Sequence, residues 1–243
     1  MSIDPKTLAA HPDRVAILEN IEKASTRMVC QAVLDFSEIA KKQFTLAKDL
    51  AGTVGEDVTR DAMDSMGMSR IPTARLIGTI DYKRAAYCFD PSYSIRQALL
   101  VDSKAEKGGV GNMTIQIAQT SLHVRMELRG NIIDVPGQVE QVLAVDDGSY
   151  LATTIFVKYG YEVQGNGDNK LNEIYVVALP NGMLQDLYNP SAADGIWMVG
   201  RNAPTLINED LRVRVSFAKL KAKKKWRVQR IAIDPAIRFA WED

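Results

Sequence analysis

The chain has almost none of the residues that bind soft metals. Two cysteines, Cys30 and Cys88, lie far apart in apolar surroundings, and His11 and His123 are the only histidines. A disulfide framework and a zinc site are therefore not expected, and two free thiols in a reducing compartment are. No run of 18 apolar residues occurs, so no membrane span is expected. The opening MSIDPKTLAAHPDR lacks a basic segment followed by an apolar one, so no export signal is expected either. Repeats and low-complexity tracts are also missing. What remains, at 46% hydrophobic and 25% charged residues, is the composition of a water-soluble globular protein working in the cytoplasm.

The missing net charge conceals a segregated one. Thirty Lys/Arg balance thirty Asp/Glu, yet residues 201–230 hold ten basic side chains and only Glu209 and Asp210 on the acidic side. An excess of eight positive charges in thirty residues points to a polyanion-binding face.

Hydrophobic periodicity divides the chain into a helical part over about 1–70 and a sheet-rich part over about 71–243, read together as one domain. From Asp13 to Asp49 apolar residues recur at helical spacing (Val15, Leu18, Ile21, Val29, Val33, Phe36, Ile39). Gly52 and Gly55 interrupt that pattern, and a further helix is expected over 57–66, closed by Gly67. Strands are expected over 76–82, 85–89, 98–103, 153–161, 173–178, 211–217 and 226–233. Segment 114–128 mixes the two periods and fits helix or strand. Gly108, Gly109 and Gly111 lack the Gly-Lys-Ser/Thr sequel of a phosphate-cradling loop.

The chemistry concentrates in QALLVDSKAEK, residues 97–107. An apolar strand ends on Asp102 and Lys104, which at i and i+2 project to one side. Such a pair is either a strand-end salt bridge or part of a metal-assisted phosphodiester site, in which lysine serves the water or the phosphate. Magnesium takes one or two carboxylates and completes its shell with water and phosphate oxygens. Asp81, one hairpin upstream after Leu76–Ile80, supplies a second carboxylate, and the Ser103 carbonyl a further ligand. Helix residues Glu38 and Glu56 are additional metal-ligand candidates, whereas Glu106 and Lys107 read as solvated charge. Downstream, Arg212 and Arg214 alternate with Leu211, Val213 and Val215, so both guanidinium groups leave one strand face. Their planar forks match O6 and N7 of guanine. Arg201 and Asn202, in a loop before that strand, are candidate base contacts. Lys221 and Lys223, with Lys224 and Lys225, are candidate phosphate contacts.

Asp, twenty residues, then Asp-x-Lys is the PD-(D/E)xK nuclease arrangement, with Ile80 where that name has proline. Around it, GTIDYKR (78–84) and QALLVDSKA (97–105), followed in order by TTIFV, IYVVALP, YNP, LRVRVSF and Trp226-Arg227, resemble the SfiI-like type II restriction endonucleases over about residues 20–233. The resemblance implies an α/β fold with a central mixed β-sheet flanked by helices. It implies Mg²⁺-dependent cutting of double-stranded DNA at an interrupted GC-rich palindrome, with Mn²⁺ as a substitute and Ca²⁺ supporting binding only. It also implies a homo-oligomer, tetramer or dimer, and a cognate DNA methyltransferase that the enzyme does not contact. Asp81, Asp102 and Lys104 fall on the family's catalytic positions, Arg212 and Arg214 on its base-contacting strand. The loop carrying Arg201 and Asn202 differs from the family pattern. A structure-specific repair or junction nuclease of the same superfamily and a catalytically inactive DNA-binding protein are the competing readings.

Overall fold

The computed structural model describes residues 2–47, 51–72, 82, 84–108, 114–116, 119–145, 148–199 and 213–243. Helices α1 (Arg14–Asp35), α2 (Ser37–Leu46) and α3 (Ala51–Asp64) come first. The expected long helix is thus two, divided at Phe36. Strands β1 (Arg84–Asp90), β2 (Ile95–Lys107), β6 (Val142–Val145), β7 (Gly148–Val163), β8 (Asn169–Leu179) and β11 (Val228–Ala232) form the main sheet. Its order is β1-β2-β7-β8-β11, with β6 also on β7. β2 and β7 run parallel and the other pairs antiparallel, so the sheet is mixed.

Segment 114–128, ambiguous by period, contributes two strands: β3 (Thr114–Gln116) and β4 (Val124–Leu128). β4 closes a hairpin with β5 (Asn131–Val135). β3 joins β10 (Val213–Ser216) and β9 (Trp197–Val199) in a small second sheet. Between them lies the single turn α4 (Gln185–Tyr188), and α5 (Phe217–Lys223) follows β10 directly. The expected strand over 211–217, whose first two residues lie outside the described ones, stops at Ser216, which caps a helix by accepting the Lys219 amide.

Apolar side chains fill both faces of the main sheet. On one face Val29, Val33, Phe44, Val58 and Met63 of the helices pack on Leu99, Val101, Ile155 and Val157. On the other, Leu100, Phe156, Tyr175 and Val177 meet Val213, Val215, Phe217 and Leu220. A strand covered on both faces is apolar throughout rather than alternating, which is why LLV and IFV read as continuous runs.

The glycines of α3 overturn an expectation. Gly52 and Gly55 lie inside the helix and do not break it. A Cβ on Gly55 would stand 3.0 Å from Cδ2 of Tyr159 and 3.6 Å from Cβ of Ala105. The missing side chain lets α3 approach β2 and β7 closely, and the contact outweighs the roughly 1 kcal/mol helix penalty of glycine.

One buried ion pair ties the ends of the chain together. Nη2 of Arg227 meets Oε2 of Glu22 on α1 at 2.6 Å, with side chains 0% and 1% exposed. The Asn181 amide donates to Glu22 Oε1 at 2.7 Å. The guanidinium lies over the rings of Tyr188 and Trp226, 4.2 and 4.3 Å from their centroids.

Both cysteines are free, Cys30 buried and Cys88 half-buried. Burial pushes their thiols up, to about 12 for Cys30 and about 11 for Cys88. At pH 8 only about one Cys88 in a thousand is thiolate, the reactive form. Iodoacetamide at that pH is therefore expected to spare both thiols in the folded chain and to label both in urea. Native labelling at free-cysteine rates would contradict their placement.

Candidate active site

The hairpin β1–β2 pairs Arg84 with Val101 as its last rung. Beyond that rung β2 continues for six residues against β7 alone among the described residues. Asp102 and Lys104 sit on this extension, on the face that bears Ala98 and Leu100. Asp102 is 1% exposed and Lys104 is 40% exposed, and Lys104 Nζ stands 2.8 Å from Asp102 Oδ2. A buried carboxylate thus faces a cation that reaches solvent. Tyr82 lies beside Asp102, its hydroxyl donating to the Gln119 carbonyl at 2.8 Å. Burial above all, with the Asp102 charge adding, pushes its phenol well up, so Tyr82 stays a protonated donor.

Asp81, Arg201, Asn202 and Arg212 lie outside the described residues. Ser103, whose carbonyl is a candidate ligand, is buried. Glu38 and Glu56 belong to α2 and α3, which pack on the opposite face of the sheet, the one bearing Leu99, Val101 and Val157. Among the described residues no three His, Cys, Asp or Glu side chains converge. The donor chemistry fits magnesium, a hard ion that takes carboxylate and carbonyl oxygens and needs few of them from protein.

Glu106 corrects a second expectation. It is not solvated: its side chain is 19% exposed and accepts Arg214 Nη2 at 2.6 and 2.8 Å. Lys158 of β7, only 2% exposed, places Nζ 3.1 Å from Glu106 Oε2 and lies over the Phe217 ring. Burial pulls the Lys158 ammonium down and Glu106 holds it up. Lys107 is exposed, as expected. Sequence reasoning missed Tyr82, Glu106 and Lys158. The available signals were the D-x-K-x-E alternation of 102, 104 and 106, which share one strand face, and a lone lysine inside the apolar run TTIFVKY.

Lys221 and Lys223 lie on α5 and form ion pairs with Glu242 at 2.7 Å and Asp194 at 2.5 Å. Lys224 meets Glu19 at 3.2 Å. DNA phosphates would have to exchange with these carboxylates.

A family model described as type II restriction enzyme SfiI matches residues 23–231, a span that includes Tyr82, Asp102, Lys104, Glu106, Lys158 and Arg214. The chain belongs to the SfiI restriction-enzyme family. Its members are type II restriction enzymes, site-specific endonucleases. Within the family, the type II restriction enzyme SfiI of Streptomyces fimbriatus is 33% identical, the alignment covering 88% of this chain and 84% of that one. A crystal structure of tetrameric SfiI bound to cognate DNA superimposes with a TM-score of 0.79 at 28% identity, covering 94% of this chain and 90% of that chain. The restriction endonuclease BglI, crystallised with its DNA recognition sequence, shares the fold at 15% identity and a TM-score of 0.70, over 95% of this chain and 94% of that one. Among the described residues no helix is long and apolar enough to cross a membrane.

Proposed function

We propose that the chain, as one restriction-endonuclease domain, hydrolyses phosphodiester bonds of duplex DNA at an interrupted, GC-rich palindrome with Mg²⁺ as cofactor. The observation that carries this reading is the buried Asp102 carboxylate 2.8 Å from the Lys104 ammonium on a strand end, in a chain of the SfiI family. Asp81 and Asp102 would hold the ion, with the Ser103 carbonyl. Bound magnesium supplies Lewis-acid polarisation of the phosphate and acidifies water. Lys104 orients the attacking water and stabilises charge on the scissile phosphate. Mn²⁺ substitutes for the cofactor, and Ca²⁺ supports binding without cutting. Arg212 and Arg214 read guanines, and Arg201 and Asn202 contact neighbouring bases. Lys221 and Lys223 take phosphates once their carboxylate partners are displaced, which adds salt-dependent affinity.

A palindrome requires at least a dimer, and the tetrameric assembly of the SfiI crystal structure favours four copies. The enzyme works in the prokaryotic cytoplasm beside a DNA methyltransferase that protects the host sites.

Purified protein incubated with phage DNA and Mg²⁺ is expected to give discrete fragments whose sequenced ends share one interrupted GC-rich palindrome. A smear without a common end sequence would reject site specificity. Cutting of branched junctions with linear duplex spared would favour the repair or junction reading. A footprint in Ca²⁺ with no cut in Mg²⁺ would favour an inactive DNA-binding protein.

A further inference from the structure

Glu106 lies four residues past Asp102 on the same face of β2, about 13 Å along the strand. Its carboxylate takes two contacts from one Arg214 nitrogen, Nη2, and faces the Lys158 ammonium at 3.1 Å. Lys158 is held in β7, in register with Lys104, and is 2% exposed. A buried ammonium requires a fixed counter-charge, so Glu106 is anchored from behind while it grips Arg214 in front. A guanidinium carries five N–H donors in a rigid fork, and Glu106 holds that fork at Nη2. An ungripped arginine must surrender rotamer freedom when it docks on a base; one already held surrenders less.

We propose that Glu106 is a positioning residue for base discrimination, fixing the Arg214 guanidinium at the end of the catalytic strand before DNA arrives. This rests on the reading of Arg214 as a base contact. Recognition and cutting then hang on one strand: the arginine that meets a guanine is braced by the same β2 segment that carries Asp102 and Lys104. A carboxylate that served only to neutralise Lys158 would affect stability and leave base preference alone.

The test uses the intact oligomer and the target found by fragment-end sequencing. Binding in Ca²⁺ is measured for wild type, Arg214→Ala, Glu106→Gln, Glu106→Asp and the double Glu106→Gln/Arg214→Ala, on the cognate duplex and on duplexes with one guanine replaced. Thermal melting is followed alongside. Arg214→Ala is expected to lose about 10- to 100-fold of preference at one guanine. Both Glu106 variants are expected to lose about tenfold at that same guanine and nothing elsewhere, with the double variant no worse than Arg214→Ala. Glu106→Asp keeps the charge beside Lys158, so it decides the matter should Glu106→Gln fail to fold. Preference lost in Arg214→Ala but kept in the Glu106 variants would overturn the proposal alone. Preference kept at every guanine in Arg214→Ala would overturn the base-reading role of Arg214 and the proposal with it.

Discussion

Asp102→Asn is expected to lower DNA cleavage in Mg²⁺ by roughly 10³-fold or more while leaving the fold and DNA binding in place. The substitution keeps shape and removes one negative charge at a site 1% exposed to solvent. A metal clamp on a transferring phosphoryl group contributes several kcal/mol, and each 1.36 kcal/mol is tenfold in rate. Removing a carboxylate from the proposed metal site would forfeit much of that. Stability should move the other way or little at all, because a buried carboxylate costs more to desolvate than an amide. Lys104→Ala should fall in activity comparably without loss of binding in Ca²⁺, since its ammonium, 40% exposed, can reach a substrate while touching Asp102. Single-turnover cleavage beside a melting curve separates these effects. Cleavage by Asp102→Asn within tenfold of wild type would remove Asp102 from the metal site.

Arg227→Ala is expected to destabilise the protein by about 3–5 kcal/mol. The loss goes beyond the guanidinium's stacking on Tyr188 and Trp226. It leaves the Glu22 carboxylate, 1% exposed, with the Asn181 amide as its remaining described partner. At roughly 2–4 °C per kcal/mol for a chain of this size, the melting temperature should fall by on the order of 10 °C. Replacing both partners together, as Glu22→Leu/Arg227→Met, should cost less than Arg227→Ala, because no charge is stranded. Urea melts of the single and double variants check this. A single variant within 1 kcal/mol of wild type would contradict the pair's burial.

Neither partner of that pair could be found by reading along the chain. Glu22 sits in an ordinary amphipathic helix and Arg227 in a basic stretch that suggested DNA. Only the packing of α1 against the turn before β11 brings them together. By contrast the strands β1, β2, β7, β8 and β11 were legible from local pattern, because burial on both faces makes continuous apolar runs. Their lengths were underestimated where polar ends such as Lys104–Lys107 continue the ladder. Asp102 and Lys104 on one face followed from the two-residue period alone. Gly55 misled because a close helix–strand approach and a helix break look the same in one dimension. Glu106 misled because its partners, Lys158 and Arg214, are 52 and 108 residues away. Asp81, Arg212, Arg201 and Asn202 lie outside the described residues, and their roles stand on pattern and resemblance.

The parallel pairing of β2 with β7 runs for eleven rungs without a break, from Gln97–Leu151 to Lys107–Tyr161. Asp102 and Lys104 fall in its middle. Amides of β7, which lies between β2 and β8, exchange with solvent only when the main sheet opens. Asp102 and Lys104 are therefore tied to the central strand of the main sheet. Heat would remove them by global unfolding, with no earlier, gentler loss of the site, whereas a solvent-exposed hairpin such as β4–β5 is free to loosen first.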